Sequence, residues 1–348
     1  MIVAARVRPP RVAGAVFLGL AALAGLESAG CNLYPELTRS EGAVSPRPQD
    51  CAACHVDVAA EWRASGHSQA WTAERFVQAT HARSMETCLP CHAPGSLHET
   101  QGQPRLRDER REDGVDCQAC HLDHGALVGP IEDGGGLVEP HPVRVMSALY
   151  RSPELCGRCH EGTLAEYRVH AGPGERTCQG CHMPAIERKL TQATDFSSGL
   201  LVAFEDDVPQ RRHAFDLVSG VAVGEVVAAV ASATRVSDGV RVGVALTNRL
   251  PHAIPTGDFA PRHARLSLVG RDAAGGETGR IERQLRKELG QALVPGVADV
   301  TTGTLPAATT RVDLALTRVG ARGAPLELLR RSFEVGGDGA PAPQQGSR

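Results

Sequence analysis

Large apolar side chains are scarce in the first half of this chain. Phe, Trp and Tyr together make up 3 % of the 348 residues. Between residues 51 and 195 the only isoleucines are Ile131 and Ile186, and the only tryptophans are Trp62 and Trp71. A segment so composed buries too little apolar surface to offset its conformational entropy, so something other than side chains must fill its interior. A basic patch is also lacking. Lys and Arg number 37 against 40 Asp and Glu, for a formal charge of −3, which argues against a nucleic-acid partner. The apolar run "VAGAVFLGLAALAGL" near the start is too short and too rich in Ala and Gly for a membrane span.

Cysteine is what the chain does have. Ten of its 11 cysteines fall in five Cys-x-x-Cys-His motifs: Cys51/Cys54/His55, Cys88/Cys91/His92, Cys117/Cys120/His121, Cys156/Cys159/His160 and Cys178/Cys181/His182. Structural zinc needs four ligands per metal and has no use for a histidine after every pair. A thioredoxin-like dithiol occurs once, near a βαβ pattern. Covalent c-type haem requires this spacing: two thiols add to the porphyrin vinyl groups and the adjacent imidazole takes the iron. The expectation is five c-type haems, which would supply the missing core of a mostly α or irregular pentahaem domain at 51–195. Short helices are expected near 56–66, 71–83 and 161–169, with "EDGGG" at 132–136 as a loop.

Residues 1–30 read as an export signal: Arg6, Arg8 and Arg11, the apolar run, then "SAG". Export agrees with haem attachment, and it removes three arginines and Glu27, leaving the mature chain more acidic. The eleventh cysteine, Cys31, follows directly. "SAGC" resembles a bacterial lipobox, with Ser28 where leucine is usual, and an unpaired exported thiol otherwise needs its own explanation. Lipidation at Cys31 is therefore expected, giving a membrane partner through a lipid anchor. Asn32 points by the same resemblance to an outer-membrane lipoprotein facing the periplasm or cell surface. A plain signal cut after Gly30 is the alternative. Residues 31–50 read as a proline-bearing tether.

Beyond about residue 200 the pattern changes to alternation. "VVAAVASATRV" and "VRVGVALTN" flank "SDG", a hairpin signal, and "HARLSLVGRD", "RVDLALTRV" and "LELLRRSFEV" continue it. An antiparallel β-sandwich of six to eight strands is expected over 196–335. "RQLRKELGQAL" is expected to form one helix between strands, and 336–348 a disordered tail.

The segment from Cys51 to His67, read as C..CH......W..S.H, resembles the first haem-binding repeat of the multihaem cytochrome family typified by cytochrome c-554. "GVDCQACH", "PHPV", "CGRCHEG" and "TCQGCHMP" extend the likeness, and "RRHAFDL" and "NRLPHAIPTGD" resemble segments of larger, often lipid-anchored relatives with a β domain. Pro251 stands where glycine is usual. The resemblance covers roughly residues 51–270 and implies electron transfer between redox partner proteins, with most irons held by two histidines and some relatives keeping one haem open.

The proximal ligands are then His55, His92, His121, His160 and His182. His67 ranks first among distal candidates, being one short helix past the first motif and at a ligand position of the family. His141 follows, stiffened between two prolines, then His213 and His252, which would pin the β region to the haems, then His81 and His98. His124, His170 and His263 are weaker, and Met183 is badly placed beside a proximal histidine. No catalytic residue is assigned. All five motifs end in histidine, which suits two-histidine iron without a vacant site. The alternative is a reductase or oxidase of nitrite or hydroxylamine class at one open haem.

Overall fold

The structure is a computed structural model that describes most of residues 46–336. Residues 1–45, 132–140, 142, 173–176, most of 193–201, 216–224, 258–261, 321–324 and 337–348 lie outside that description. The expected signal, Cys31, most of the tether, the "EDGGG" loop and nearly all of the tail therefore fall outside the described residues.

Two compact units are present. One comprises the chain up to Ala73, Arg83–Tyr150 and Ala185–Ala214. It holds the first three motifs on short helices: Pro48–Ala52, Leu89–His92 and Cys117–His121. Each end is written locally. Pro48 opens the first helix, where its missing N–H costs nothing. The Asp116 carboxylate caps the third by accepting the Ala119 amide at 3.2 Å. Three small strands follow, β1 (Leu122–Asp123), β2 (Ala126–Gly129) and β3 (Arg144–Val145). Farther along, β4 (Ala185–Arg188) pairs antiparallel with β5 (Val208–Arg211), Ala185 opposite Arg211. The expected helix after the first motif is Val56–Ala64.

The second unit comprises Glu74–Ala82, Arg151–Pro184 and the chain from Phe215. It holds the fourth motif, which begins in the helix Glu154–Gly157, the fifth on the helix Cys178–His182, and the helix Glu161–His170. Its strands are β6 (Val227–Val236), β7 (Gly239–Asn248), β8 (His263–Arg271), β9 (Glu277–Arg286), β10 (Ala298–Leu305), β11 (Arg311–Val319) and β12 (Leu326–Glu334). They form a three-stranded sheet, β10-β7-β6, and a four-stranded sheet, β12-β11-β8-β9, antiparallel throughout. Alternating residues of both sheets build one core, including Val242, Val244, Leu246, Leu266, Leu268, Leu314 and Leu316. Each such side chain contributes roughly 1.5–3 kcal/mol on burial, so this region supplies its own interior. Gly239 closes the β6–β7 hairpin at φ +151, where a Cβ would meet the Leu305 carbonyl at 2.3 Å.

Two expectations about the fold change. "RQLRK" completes strand β9 and enters a single 3₁₀ turn, Lys287–Leu289, instead of a helix. Ile281, Arg283 and Leu285 point inward on alternate positions, and pairing with β8 overrides the helix propensity of the segment. The units also divide differently from a cut at 195/196. Residues 185–214 group with the first three motifs, Arg188 pairing with Glu61 and the Leu190 carbonyl meeting His55, whereas the fourth and fifth motifs group with the sandwich. Thr163 and Thr256 hydroxyls meet there at 3.0 Å, and Glu166 pairs with Lys287 at 2.7 Å.

Candidate haem sites

Three proximal histidines face a second histidine. His55 and His141 have ring centroids 6.2 Å apart, His121 and His213 6.2 Å, and His182 and His252 6.3 Å. A metal-bound imidazole nitrogen lies about 2 Å from its metal, so two rings on opposite sides of one iron stand about 6 Å apart between centres. The separation suits an iron between them, and a porphyrin would supply the other four ligands.

Ring orientation agrees. The Nδ1 of His55 bonds the Leu190 carbonyl at 2.8 Å, that of His92 the Ala70 carbonyl at 2.7 Å, and that of His121 the Val128 carbonyl at 2.9 Å. Nδ1 of His213 and of His252 meet the carbonyls of Arg211 at 2.9 Å and Ala253 at 3.2 Å. Donation from Nδ1–H leaves Nε2 deprotonated and turned away, ready to bind metal. Burial, with His121 beside it, lowers His213 to about 4, and burial likewise lowers His121 and His252. All three are neutral at physiological pH, the form that ligates.

The ten cysteines expected to carry haem, Cys51, Cys54, Cys88, Cys91, Cys117, Cys120, Cys156, Cys159, Cys178 and Cys181, are all half-buried and none is in a disulfide. The second cysteine of each motif sits on or beside a helical turn that ends at the proximal histidine. Cys91 lies within Leu89–His92 and Cys181 within Cys178–His182, where its amide donates to the Thr177 carbonyl at 3.3 Å. Cys159 lies just past Glu154–Gly157, its amide donating to the Cys156 carbonyl at 3.3 Å. Cys54 repeats that bond, to the Cys51 carbonyl at 3.2 Å.

The first cysteines are drawn together in pairs. Cys51 and Cys117 are within hydrogen-bonding reach of each other, as are Cys156 and Cys178. The first attachment cysteines of motifs one and three are thus neighbours, and so are those of motifs four and five. Paired thiols, anchored proximal imidazoles and facing second imidazoles fit c-type haem.

The other expected residues fall differently. His67 is half-buried. Its carbonyl accepts the Val115 amide at 3.0 Å, and it crowds Gly114, where φ is +66 and a Cβ would come within 2.4 Å. Trp62 pins the same segment by donating to the Val115 carbonyl at 2.8 Å. His98 is turned round relative to the other rings. Its Nε2 meets the Cys120 carbonyl at 2.7 Å, which ties it to the end of the third motif helix. His81 is exposed and begins three consecutive left-handed residues, His81, Ala82 and Arg83. His124 and His170 are exposed, and His263 lies half-buried on β8.

Some supporting residues were not anticipated. Tyr150 stacks on His121 with ring centres 5.2 Å apart, and its hydroxyl reaches the Cys120 carbonyl at 2.5 Å and the Val128 carbonyl at 3.1 Å. Nothing in its sequence surroundings marks it. Asn248, fully buried, organises the His252 loop. It donates to the His252 and Leu293 carbonyls at 2.8 and 2.9 Å and accepts the Leu250 amide at 2.9 Å.

Repeated Cys-x-x-Cys-His motifs, three of whose histidines face a second histidine, are an arrangement that suits a multihaem c-type cytochrome. Residues 50–122 match the family described as cytochrome c554 and c-prime. In fold the chain is similar to a penta-heme cytochrome c552 from Thermochromatium tepidum, at TM-score 0.55 and 19 % identity, covering 82 % of this chain and 97 % of that one. No curated protein matches the chain.

Proposed function

We propose that the protein is an exported pentahaem cytochrome that carries electrons between redox partner proteins. The observation that carries this reading is the set of facing pairs His55/His141, His121/His213 and His182/His252 at 6.2–6.3 Å. Haem iron supplies a reversible ferric/ferrous couple. The chain's part would be to supply two histidines to each of those irons, closing them to substrate, and to bring attachment sites together at Cys51/Cys117 and Cys156/Cys178. His67 is assigned to one of the two haems of His92 and His160. Two histidines at each of the three paired irons would leave no vacant site there, which suits transfer rather than chemistry on a bound molecule.

Pyridine haemochrome analysis should return five haems per chain. The oxidised protein should show low-spin electron paramagnetic resonance signals, and the three paired irons of the reduced protein should exclude carbon monoxide. A stoichiometric high-spin haem that binds nitrite or hydroxylamine would replace this reading with the enzymatic one. Anchoring at Cys31 belongs to the same proposal: Cys31→Ser should release the protein from membranes with its haem spectrum unchanged, and a wild type already free of membranes would refute it.

A further inference from the structure

The first and fourth motifs are built alike beyond their cysteines. One continues from His55 as V-D-V-A-A-E-W-R and the other from His160 as E-G-T-L-A-E-Y-R, so Ala-Glu-aromatic-Arg stands at the same distance from each proximal histidine. Both histidines cap the helix that follows, at φ −88, ψ 56 and φ −101, ψ 48. The residue buried in each helix, Ala59 or Leu164, occupies the same position.

The matching glutamates make matching contacts. Glu61 accepts the backbone amide of His213 at 2.8 Å and is gripped by Arg188 at 2.9 and 3.1 Å, with Arg212 at 3.4 Å. Glu166 accepts the backbone amide of Ala253, the residue after His252, at 2.9 Å, and pairs with Lys287 at 2.7 Å. Both carboxylates are largely shielded, with side-chain exposures of 14 % and 21 %, so these are charge-assisted bonds little weakened by water. His213 faces His121 of the third motif and His252 faces His182 of the fifth. Those are the motifs whose first cysteines neighbour Cys51 and Cys156.

We infer that Glu61 and Glu166 are equivalent positioning residues of a two-haem module used twice in the chain. Each carboxylate holds the backbone at a distal histidine so that its imidazole meets the proximal histidine of the neighbouring motif. The inference rests on the reading of the facing histidines as axial pairs. Neither glutamate touches the iron position. Each acts through the loop that carries the ligand, and each links a helix following one motif to the ligand of another.

The test uses the mature holoprotein with Glu61→Ala, Glu166→Ala and the corresponding glutamine variants, beside His213→Ala and His252→Ala as references. At unchanged haem content, each alanine variant should raise the population of one open iron about tenfold or more, the effect of losing one charge-assisted hydrogen bond. It should be read as a new high-spin signal and added carbon monoxide binding, reversed by exogenous imidazole. Glutamine retains the accepting oxygen and should restore most of the low-spin state. If Glu61→Ala fails to mature, Glu61→Asp, one methylene too short to reach the amide, stands in for it. Alanine variants that remain low-spin while the histidine references open would overturn the positioning role alone, as would glutamine variants no better than alanine. Histidine references that stay low-spin would overturn the axial pairing, and the positioning role with it.

Discussion

His121 and His213 face each other at 6.2 Å, and each ties its Nδ1 to a carbonyl of its own surroundings, Val128 and Arg211. Neither ring can turn without breaking that bond, so the protein itself holds the two imidazoles in this facing arrangement. In the same way His141 stands opposite His55. His141→Ala should therefore leave the covalent haem count intact and open one iron, that of His55. Carbon monoxide difference spectra of the reduced variant should show one added site.

His67→Ala should likewise retain every haem, because the thioether links and His55 do not depend on it. With His55 facing His141, the iron that opens belongs to another motif. Resonance Raman spectra of the variant should gain one high-spin component, and an unchanged low-spin spectrum would reduce His67 to a group that packs against Gly114.

The loop between the second and third motifs turns on Arg107. Its guanidinium pairs with Asp116 at 2.8 Å, the two side chains being 8 % and 0 % exposed, and donates to the carbonyls of Pro94, Glu109, Arg110 and Gly114. Arg107→Met strands the Asp116 carboxylate, whose pKa burial already raises. A loss of about 3 kcal/mol in denaturant unfolding of the holoprotein is expected.

Asp313 gives the sandwich an acid limb. Burial raises its pKa, but hydrogen bonds from the Ser332 hydroxyl and from Arg271, with Arg311 nearby, outweigh burial and hold it below the usual aspartate range. A depressed folded-state pKa stabilises above the unfolded value, near 4, and the contribution disappears as pH falls through the folded value. Asp313→Asn should flatten thermal stability below about pH 4 and cost about 0.5 kcal/mol at neutrality.

Maturation without haem should separate the two kinds of core. All members of the contiguous apolar cluster, from Val226 to Leu329, belong to the sandwich region. Chain produced without cytochrome c maturation should keep a β-type circular dichroism signal while limited proteolysis removes residues 46–150. A protease-resistant 46–150 fragment would sink the idea that haem supplies that core.

The sequence made the proximal sites legible because covalent chemistry leaves no freedom in Cys-x-x-Cys-His, and the hairpin around Ser237–Asp238 because alternation and turn residues agree. His141, His213 and His252 were visible only as histidines in distinctive loops, since what selects them is tertiary: the ladder of β4 with β5, or the Asn248 amide. His98, ranked below them in the sequence, meets a carbonyl through Nε2, where His213 and His252 use Nδ1. The strand in place of a helix at "RQLRK" shows pairing partners prevailing over local propensity. Glu61 and Glu166 were legible in principle, because Ala-Glu-aromatic-Arg occurs after two motifs, but a repeat spanning so few positions stands out only once both carboxylates are seen on backbone amides.

In every facing pair the second histidine lies well downstream of the first: His141 after His55, His213 after His121, His252 after His182. A chain made from its N-terminus meets each proximal ligand long before its mate. On the proposed reading, thioethers would form as the motifs emerge, whereas the second histidine would have to await the remote segment. Maturation would then run in a fixed order, from high-spin intermediates to a low-spin product. Each completed iron would also close a long loop of polypeptide, restricting the unfolded chain far more than a local bond would. Haem would then fasten the tertiary structure of this chain as well as carry charge.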